Sequence, residues 1–283
     1  MKPTGSAFDM FLLGLRLGGI YVRAGKWRRG LYLLIRPIDY WRTLELPISF
    51  EYLDPEPGEQ ILDVGSPKLI SMYIAARAGA DVHAMDIYDD GGLTDSTVFK
   101  NGTGADKLHV MIGDVRQLPF PDNSLDKVFS VSVLEHVFPP EGGDTAALKE
   151  IARVLRPGGR LVFTLPFVPR ARVDYLDKDV YDRPRTSADE KVFYQRRYDA
   201  GTLAALLHTD SRLEVEKQEY ICERFYHGSG RELWNVIGEG NKFKRLALAP
   251  LYPIFAAIFL KRVSEPASGA EYMAACVSMR KQA

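Results

Sequence analysis

Residues 61–69, ILDVGSPKL, constrain the fold more than any other stretch: a short apolar run breaks at one glycine and passes at once into helical spacing. An open α/β sheet carries its first strand, turn and helix this way, with a nucleotide-like ligand received at the strand's C-terminal end. Gly65 lets backbone come close to such a ligand, and the helix N-terminus behind it offers free N–H groups. Ser66 reads as an N-cap. Pro67 fits the first helical position, where the fixed φ of about −65° suits and the missing N–H costs nothing. The second and third glycines of a dinucleotide fingerprint are absent, so the identity of the ligand has to come from elsewhere in the chain.

The same unit repeats. DVHAMDI alternates into a second strand ending at Asp86, KLHVMIGD into a third ending at Asp114, and LDKVFSVSVLEHV is an apolar run of the kind a central strand needs. A helix capped by Asp144 or Thr145 presents Ala147, Leu148, Ile151, Val154 and Leu155 on one side and stops at RPGG; GRLVFTLPF follows as strand five. Asp199 to Leu207 reads as a short helix, LEVEKQEYICE as strand six and EYMAACVSMRK as a last strand. This alternation predicts an α/β, Rossmann-like, mostly parallel seven-stranded sheet with helices on both faces. LPISFEYLDPEPGEQ reads as a proline-rich approach to strand one, and the glycine-broken stretch 89–106 offers no clear second helix.

With 46% apolar and 26% charged residues among 283, the chain is ordinary for a globular protein. Net charge is zero, but residues 1–50 carry eight Lys/Arg against three acids and residues 241–283 carry seven against two. Basic ends therefore flank an acidic centre, and no basic groove interleaved with aromatics suits nucleic acid. Cys222 and Cys276 form no disulfide pattern, which fits a reducing, cytoplasmic setting, and the five scattered histidines form no metal set.

The run LPFPDNSLDKV, then LEHV, then LKEIARVLRPGGRLVFTLPF, in that order and spacing, resembles the class I S-adenosylmethionine-dependent methyltransferases, especially those acting on small molecules. The resemblance covers residues 58–167 well and the closing strands more loosely. It implies the Rossmann-like methyltransferase fold, S-adenosyl-L-methionine as cofactor and S-adenosyl-L-homocysteine as product. It also implies roles for the strand-tip residues. Asp63 would hold the methionine amino group, and Gly65 would give the backbone approach, with Ser66 and Pro67 beside it. Asp86, followed by Ile87, would accept from the ribose hydroxyls. Asp114 would accept from the adenine amino group with Val115 against the ring, and Ser132 would sit under the methionine end. The segment Ser66-Pro67-Lys68 departs from the small residues usual in the family. Lys68 would pair with the methionine carboxylate there, or is simply solvated.

If the acceptor is a hydroxyl or an acidic carbon, His136 in LEHV is the best-placed base; the competing reading makes it a histidine that shapes the pocket. Tyr175, Tyr181, Tyr194 and His227 lie in two insertions, at about 168–198 and 224–262, where the first has the look of a lid or binding loop. Residues 1–50 form a basic amphipathic helical extension ahead of a methyltransferase domain at 51–283. Residues 242–262 carry an apolar run, LALAPLYPIFAAIFL, bounded by lysines and arginines and shorter than the ~20 residues a spanning helix needs. Both segments read either as helices packed on the domain or as peripheral membrane contacts at the inner face of a membrane.

The leading reading is thus methyl transfer to O or C of a small, lipid-like or membrane-associated acceptor. The alternative is a catalytically silent scaffold of the same fold that has lost the cofactor. A nicotinamide oxidoreductase is excluded by the missing glycines and by the late strand after LRPGG. Oligomeric state is not legible.

Overall fold

A computed structural model describes residues 3–66, 68–87, 96–103, 106–177, 191–225, 246–267, 270 and 273–283. Five strands, β1 (Gln60–Val64), β2 (Asp81–Asp86), β3 (Leu108–Ile112), β4 (Leu125–Val131) and β5 (Leu155–Phe167), pair in parallel. A ribbon, β6 (Arg172–Leu176) with β7 (Val192–Arg197), stands apart from this sheet. β8 (Leu213–Glu223), β9 (Leu260–Val263) and β10 (Met273–Lys281) complete the main sheet in the order β3-β2-β1-β4-β5-β10-β8-β9, with β10 and β9 antiparallel to their neighbours. The seven expected strands are all present. The eighth, β9, is a short edge strand from the second insertion.

Alternation along the strands builds two apolar layers. On one side Ile61, Val82, Phe129 and Val162 meet α1 (Ala7–Arg23), α3 (Arg42–Leu53), α4 (Lys68–Arg77) and α8 (Tyr252–Phe259). On the other, Leu62, Met85, Val128 and Phe163 meet α6 (Gly143–Val154) and α7 (Ala200–Leu207). α2 (Trp27–Ile35) packs on α1, and α5 (Ser96–Thr103) lies before β3. The N-terminal helices share the first layer with the sheet, and a boundary at residue 50 falls inside α3. Asp199 caps α7, the short helix expected there, by accepting from Thr202 N.

Three expectations need correction. The proline-rich approach is mostly helix: α3 carries Pro47 internally, a loss of about 3 kcal/mol. Burial of Leu46, Ile48, Phe50 and Leu53, at roughly 1.5–3 kcal/mol each, outweighs it. Residues 96–103 form α5 despite Gly102. α6 starts at Gly143 behind Gly142, whose φ is +81°, and not behind a side-chain cap. Asp144 instead accepts a hydrogen bond from the Tyr198 hydroxyl at 2.7 Å. Among the described residues no helix is long and apolar enough to cross a membrane.

Candidate functional site

The C-terminal ends of β1 to β4 open into a cleft with two lobes. One, of 360 Å³, reaches from Gly65 and Asp86 to Val115 and His136; the other, of 520 Å³, runs from the same glycine and aspartate under α1 and α2. Arg42, Gly65, Asp86 and Ser132 belong to both. Gly65, Asp86, Ile87, Asp114, Val115, Ser132 and His136 thus share one edge, where an α/β sheet receives ligands.

Gly65 follows β1 with φ +65°, and its N–H donates to the Met85 carbonyl at 2.8 Å. A Cβ there would sit 2.8 Å from Val133 Cγ1, so the turn is closed to any side chain. Asp63 is fully buried and does not face either lobe. Its Oδ1 accepts the Ser66 N–H at 3.0 Å and its Oδ2 accepts the Ser71 hydroxyl, so it shapes the turn from within. Burial raises its carboxyl above the usual range, against the pull of Lys68 and the serine donors. Ser66, expected as an N-cap, uses its hydroxyl to accept the Val131 N–H at 2.7 Å and so staples the turn to β4. Pro67 lies outside the described residues.

Lys68 reaches back to the strand tips, its Nζ 3.4 Å from Asp86 Oδ2, and its charge also acts on Asp63. Its partner is therefore Asp86. Lys68→Ala is expected to weaken S-adenosylhomocysteine binding about three- to tenfold by leaving two neighbouring carboxylates uncompensated. Titration calorimetry on the pair of proteins checks it, and unchanged affinity would remove Lys68 from the site.

Asp86 and Ile87 line the smaller lobe, with Ile87 half exposed. Asp114 is clamped by Arg116, whose Nε lies 3.0 Å from both carboxylate oxygens and whose N–H donates to Oδ1 at 2.9 Å. Those bonds hold the Asp114 carboxyl below the usual range. Arg116 also donates to the Phe138 carbonyl at 2.8 Å, which ties the tip of β3 to the loop after β4. Val115 is buried against this lobe.

Ser132 adopts a left-handed φ of +52°, a strained conformation for a non-glycine residue. Three contacts fix it. Its N–H donates to Thr164 Oγ1 at 3.1 Å, its Oγ accepts from Arg42 Nη1 at 2.7 Å, and its hydroxyl donates to Glu45 Oε1 at 3.1 Å. Arg42 and Glu45 are themselves ion-paired. This pair enters from α3, about 90 residues away in sequence, and nothing in the sequence singles it out.

His136 sits in a short 3-10 turn, Leu134–His136, facing the smaller lobe. Its Nδ1 lies 2.8 Å from the Tyr194 carbonyl, which can only accept, so Nδ1 carries the proton and the neutral ring keeps its lone pair on Nε2. That is the tautomer a base needs. The loop bearing it is held by the buried Arg196 of β7, which donates to the carbonyls of Val137 at 2.9 Å and Pro140 at 2.8 Å. The described ends of the first insertion thus form a ribbon that braces the site, while residues 178–190 of the expected lid or binding loop lie outside the described residues. Tyr175 is exposed on that ribbon; Tyr181 and His227 lie outside the described residues. Beside His136, the fully buried Glu135 has Oε2 without a hydrogen-bond partner among the described residues, and burial pushes its carboxyl up to about 8.

A family model described as a methyltransferase domain matches residues 62–163. An uncharacterized transposon protein of Streptomyces fradiae is 32% identical over 210 residues, covering 74% of this chain and 59% of that protein. A demethylmenaquinone methyltransferase of Corynebacterium glutamicum is 36% identical over 121 residues, covering 41% of this chain and 47% of its own. The chain thus spans about half the length of these curated relatives. Among solved structures, geranyl diphosphate C-methyltransferase from Streptomyces coelicolor A3(2), held with Mg2+, geranyl diphosphate and S-adenosyl-L-homocysteine, superposes with a TM-score of 0.51 at 12% identity. The superposition covers 82% of this chain and 76% of that one and shows a shared fold.

Proposed function

From a chain that carries a class I methyltransferase domain, we infer an S-adenosylmethionine-dependent methyltransferase acting at O or C of a small, lipid-like acceptor. The single observation that carries the reading is Gly65, a left-handed turn with no room for a Cβ, set between the Asp86 tip and the Ser132 tip of one cleft. Those residues fit the cofactor. Gly65, Lys68 and Ser132 would take its methionine end, Asp86 its ribose, and Val115 with Ile87 and Asp114 its adenine. Asp63 and Ser66 would act through the shape of the turn.

Bound there, the cofactor supplies a methyl group on a positively charged sulfonium, so alignment of the acceptor does most of the catalytic work. The chain's own part is to hold both molecules across the residues common to the two lobes and to keep water out. His136 Nε2 would take the proton from an acidic acceptor, with the Tyr194 carbonyl holding the ring. Incubation with methyl-labelled S-adenosylmethionine and a total lipid extract should put label in the organic phase. Label confined to water-soluble products would reject the lipid-like acceptor, and no transfer at all would favour the silent scaffold.

The lipid-like reading draws support from the surface. Phe8, Leu12, Trp27, Leu31 and Leu34 are exposed on α1 and α2, as are Ile254 and Ile258 on α8, among cationic side chains. Exposed apolar side chains beside cations suit peripheral contact with an anionic bilayer at the cytoplasmic side. Deleting residues 1–50 would strip the core, so the test is Trp27→Glu with Leu31→Glu in the full chain. Flotation of wild type with vesicles containing a third phosphatidylglycerol, lost in the double variant, is the expected result; a wild type that stays at the bottom of the gradient contradicts it.

A further inference from the structure

α2 carries its residues in an unusual arrangement. Arg29, Tyr32 and Leu33 of α2, with Arg36 just past its end, line the larger lobe. Trp27, Leu31 and Leu34 are apolar and exposed. α2 thus leaves three large apolar side chains exposed together with Arg28, while Arg29 lines the cavity.

The cations of the lobe are not equally committed. Arg36 is paired with Asp39, Arg42 with Glu45, and Lys68 with Asp86. Arg29 stacks over the Tyr21 ring, 5.3 Å from its centroid, and its buried Nε has no hydrogen-bond partner among the described residues. A stacked guanidinium with a donor left over presents a planar fork suited to a carboxylate or phosphate. Much of the remaining wall is apolar, through Leu17, Leu46, Leu69 and Met72. The sheet side of the lobe ends at Gly65 and Ser132, which it shares with the lobe assigned to the cofactor.

We propose that the larger lobe is the acceptor site and that it takes an amphipathic molecule whose anionic group is bound by Arg29. The apolar part lies along α1 and α4, and the atom to be methylated lies at the junction by Ser132. This rests on the methyltransferase reading for its reactive end, while the anion site stands on Arg29 and the cavity alone.

The test uses the full chain and three probes: decyl phosphate, 1-decanol and inorganic phosphate, each titrated below its aggregation limit, with S-adenosylhomocysteine affinity measured on the same samples. Decyl phosphate is expected to bind at least tenfold more tightly than 1-decanol and at least a hundredfold more tightly than inorganic phosphate. Arg29→Ala should abolish the preference over 1-decanol, Arg29→Lys should keep part of it, and neither should alter S-adenosylhomocysteine binding. Equal binding of decyl phosphate and 1-decanol, or a preference that survives Arg29→Ala, overturns the proposal. Inorganic phosphate binding as tightly as decyl phosphate also overturns it, since the site would then be for a free anion. Wild type that shows the preference yet binds no S-adenosylhomocysteine leaves the anion site standing and removes the methyltransferase reading instead.

Discussion

Gly65→Ala is expected to lower S-adenosylhomocysteine affinity at least tenfold, a loss of about 1.4 kcal/mol or more in binding. Two costs combine. The residue holds φ +65°, where an L side chain is strained by roughly 1–2 kcal/mol, and the new Cβ would meet Val133 Cγ1 at 2.8 Å. The turn would have to move, and with it the Gly65–Met85 hydrogen bond that joins the tips of β1 and β2. Gly58→Ala is the matched control. Gly58 has φ +84° with nothing within 4 Å of its would-be Cβ, so it carries similar strain remote from the cleft. Calorimetry should show affinity unchanged in Gly58→Ala and lost in Gly65→Ala, while both lower the melting temperature modestly. Equal affinities in the two variants would mean that the turn does not receive the cofactor.

The second large effect is on stability against pH. Glu135 is buried beside the site, and its carboxyl is pushed from 4.5 up to about 8, chiefly by burial, with Arg42 and Arg196 pulling it back. Below pH 4.5 folded and unfolded chains both hold the proton and the group contributes no pH dependence. As pH rises from there toward 8, the unfolded chain releases the proton and the folded chain keeps it, so stability falls by up to about 1.4 kcal/mol per unit. Above that window the loss is complete. Glu135→Gln keeps the shape without the proton and should be the more stable protein at pH 9, by about 5 kcal/mol. Urea denaturation of both proteins at several pH values between 5 and 9 measures the difference directly. Parallel stability curves would show that Glu135 is already ionised in the folded chain.

The centre of the sheet was legible because β1, most of β4 and the second half of β5 are buried, so they read as apolar runs. Asp86 and Asp114 close apolar runs, and a run that stops at an acid marks the strand's end whatever the tertiary context. Directions of side chains were not legible. Asp63 belongs to the same pattern as Asp86, yet it points into the core, because Ser66 and Ser71 in the following turn and helix supply donors that satisfy it there. The helix α3 was hidden by Pro47, whose local cost is overridden by burial that only the folded sheet provides. Arg42, Glu45 and Glu135 could not be found from spacing either, since their roles depend on α3 and the tip of β4 meeting in space. Lys68, expected to meet the methionine carboxylate or to be solvated, also stands 3.4 Å from Asp86 and acts on Asp63, contacts that spacing does not reveal.

Titration of the full chain with S-adenosyl-L-homocysteine asks only whether the strand-tip edge receives the cofactor's product. The account predicts one site per chain with a dissociation constant in the micromolar range, lost in Gly65→Ala and weakened in Lys68→Ala. No detectable heat at millimolar ligand, from a chain that melts cooperatively, would contradict it and leave a methyltransferase fold without its cofactor.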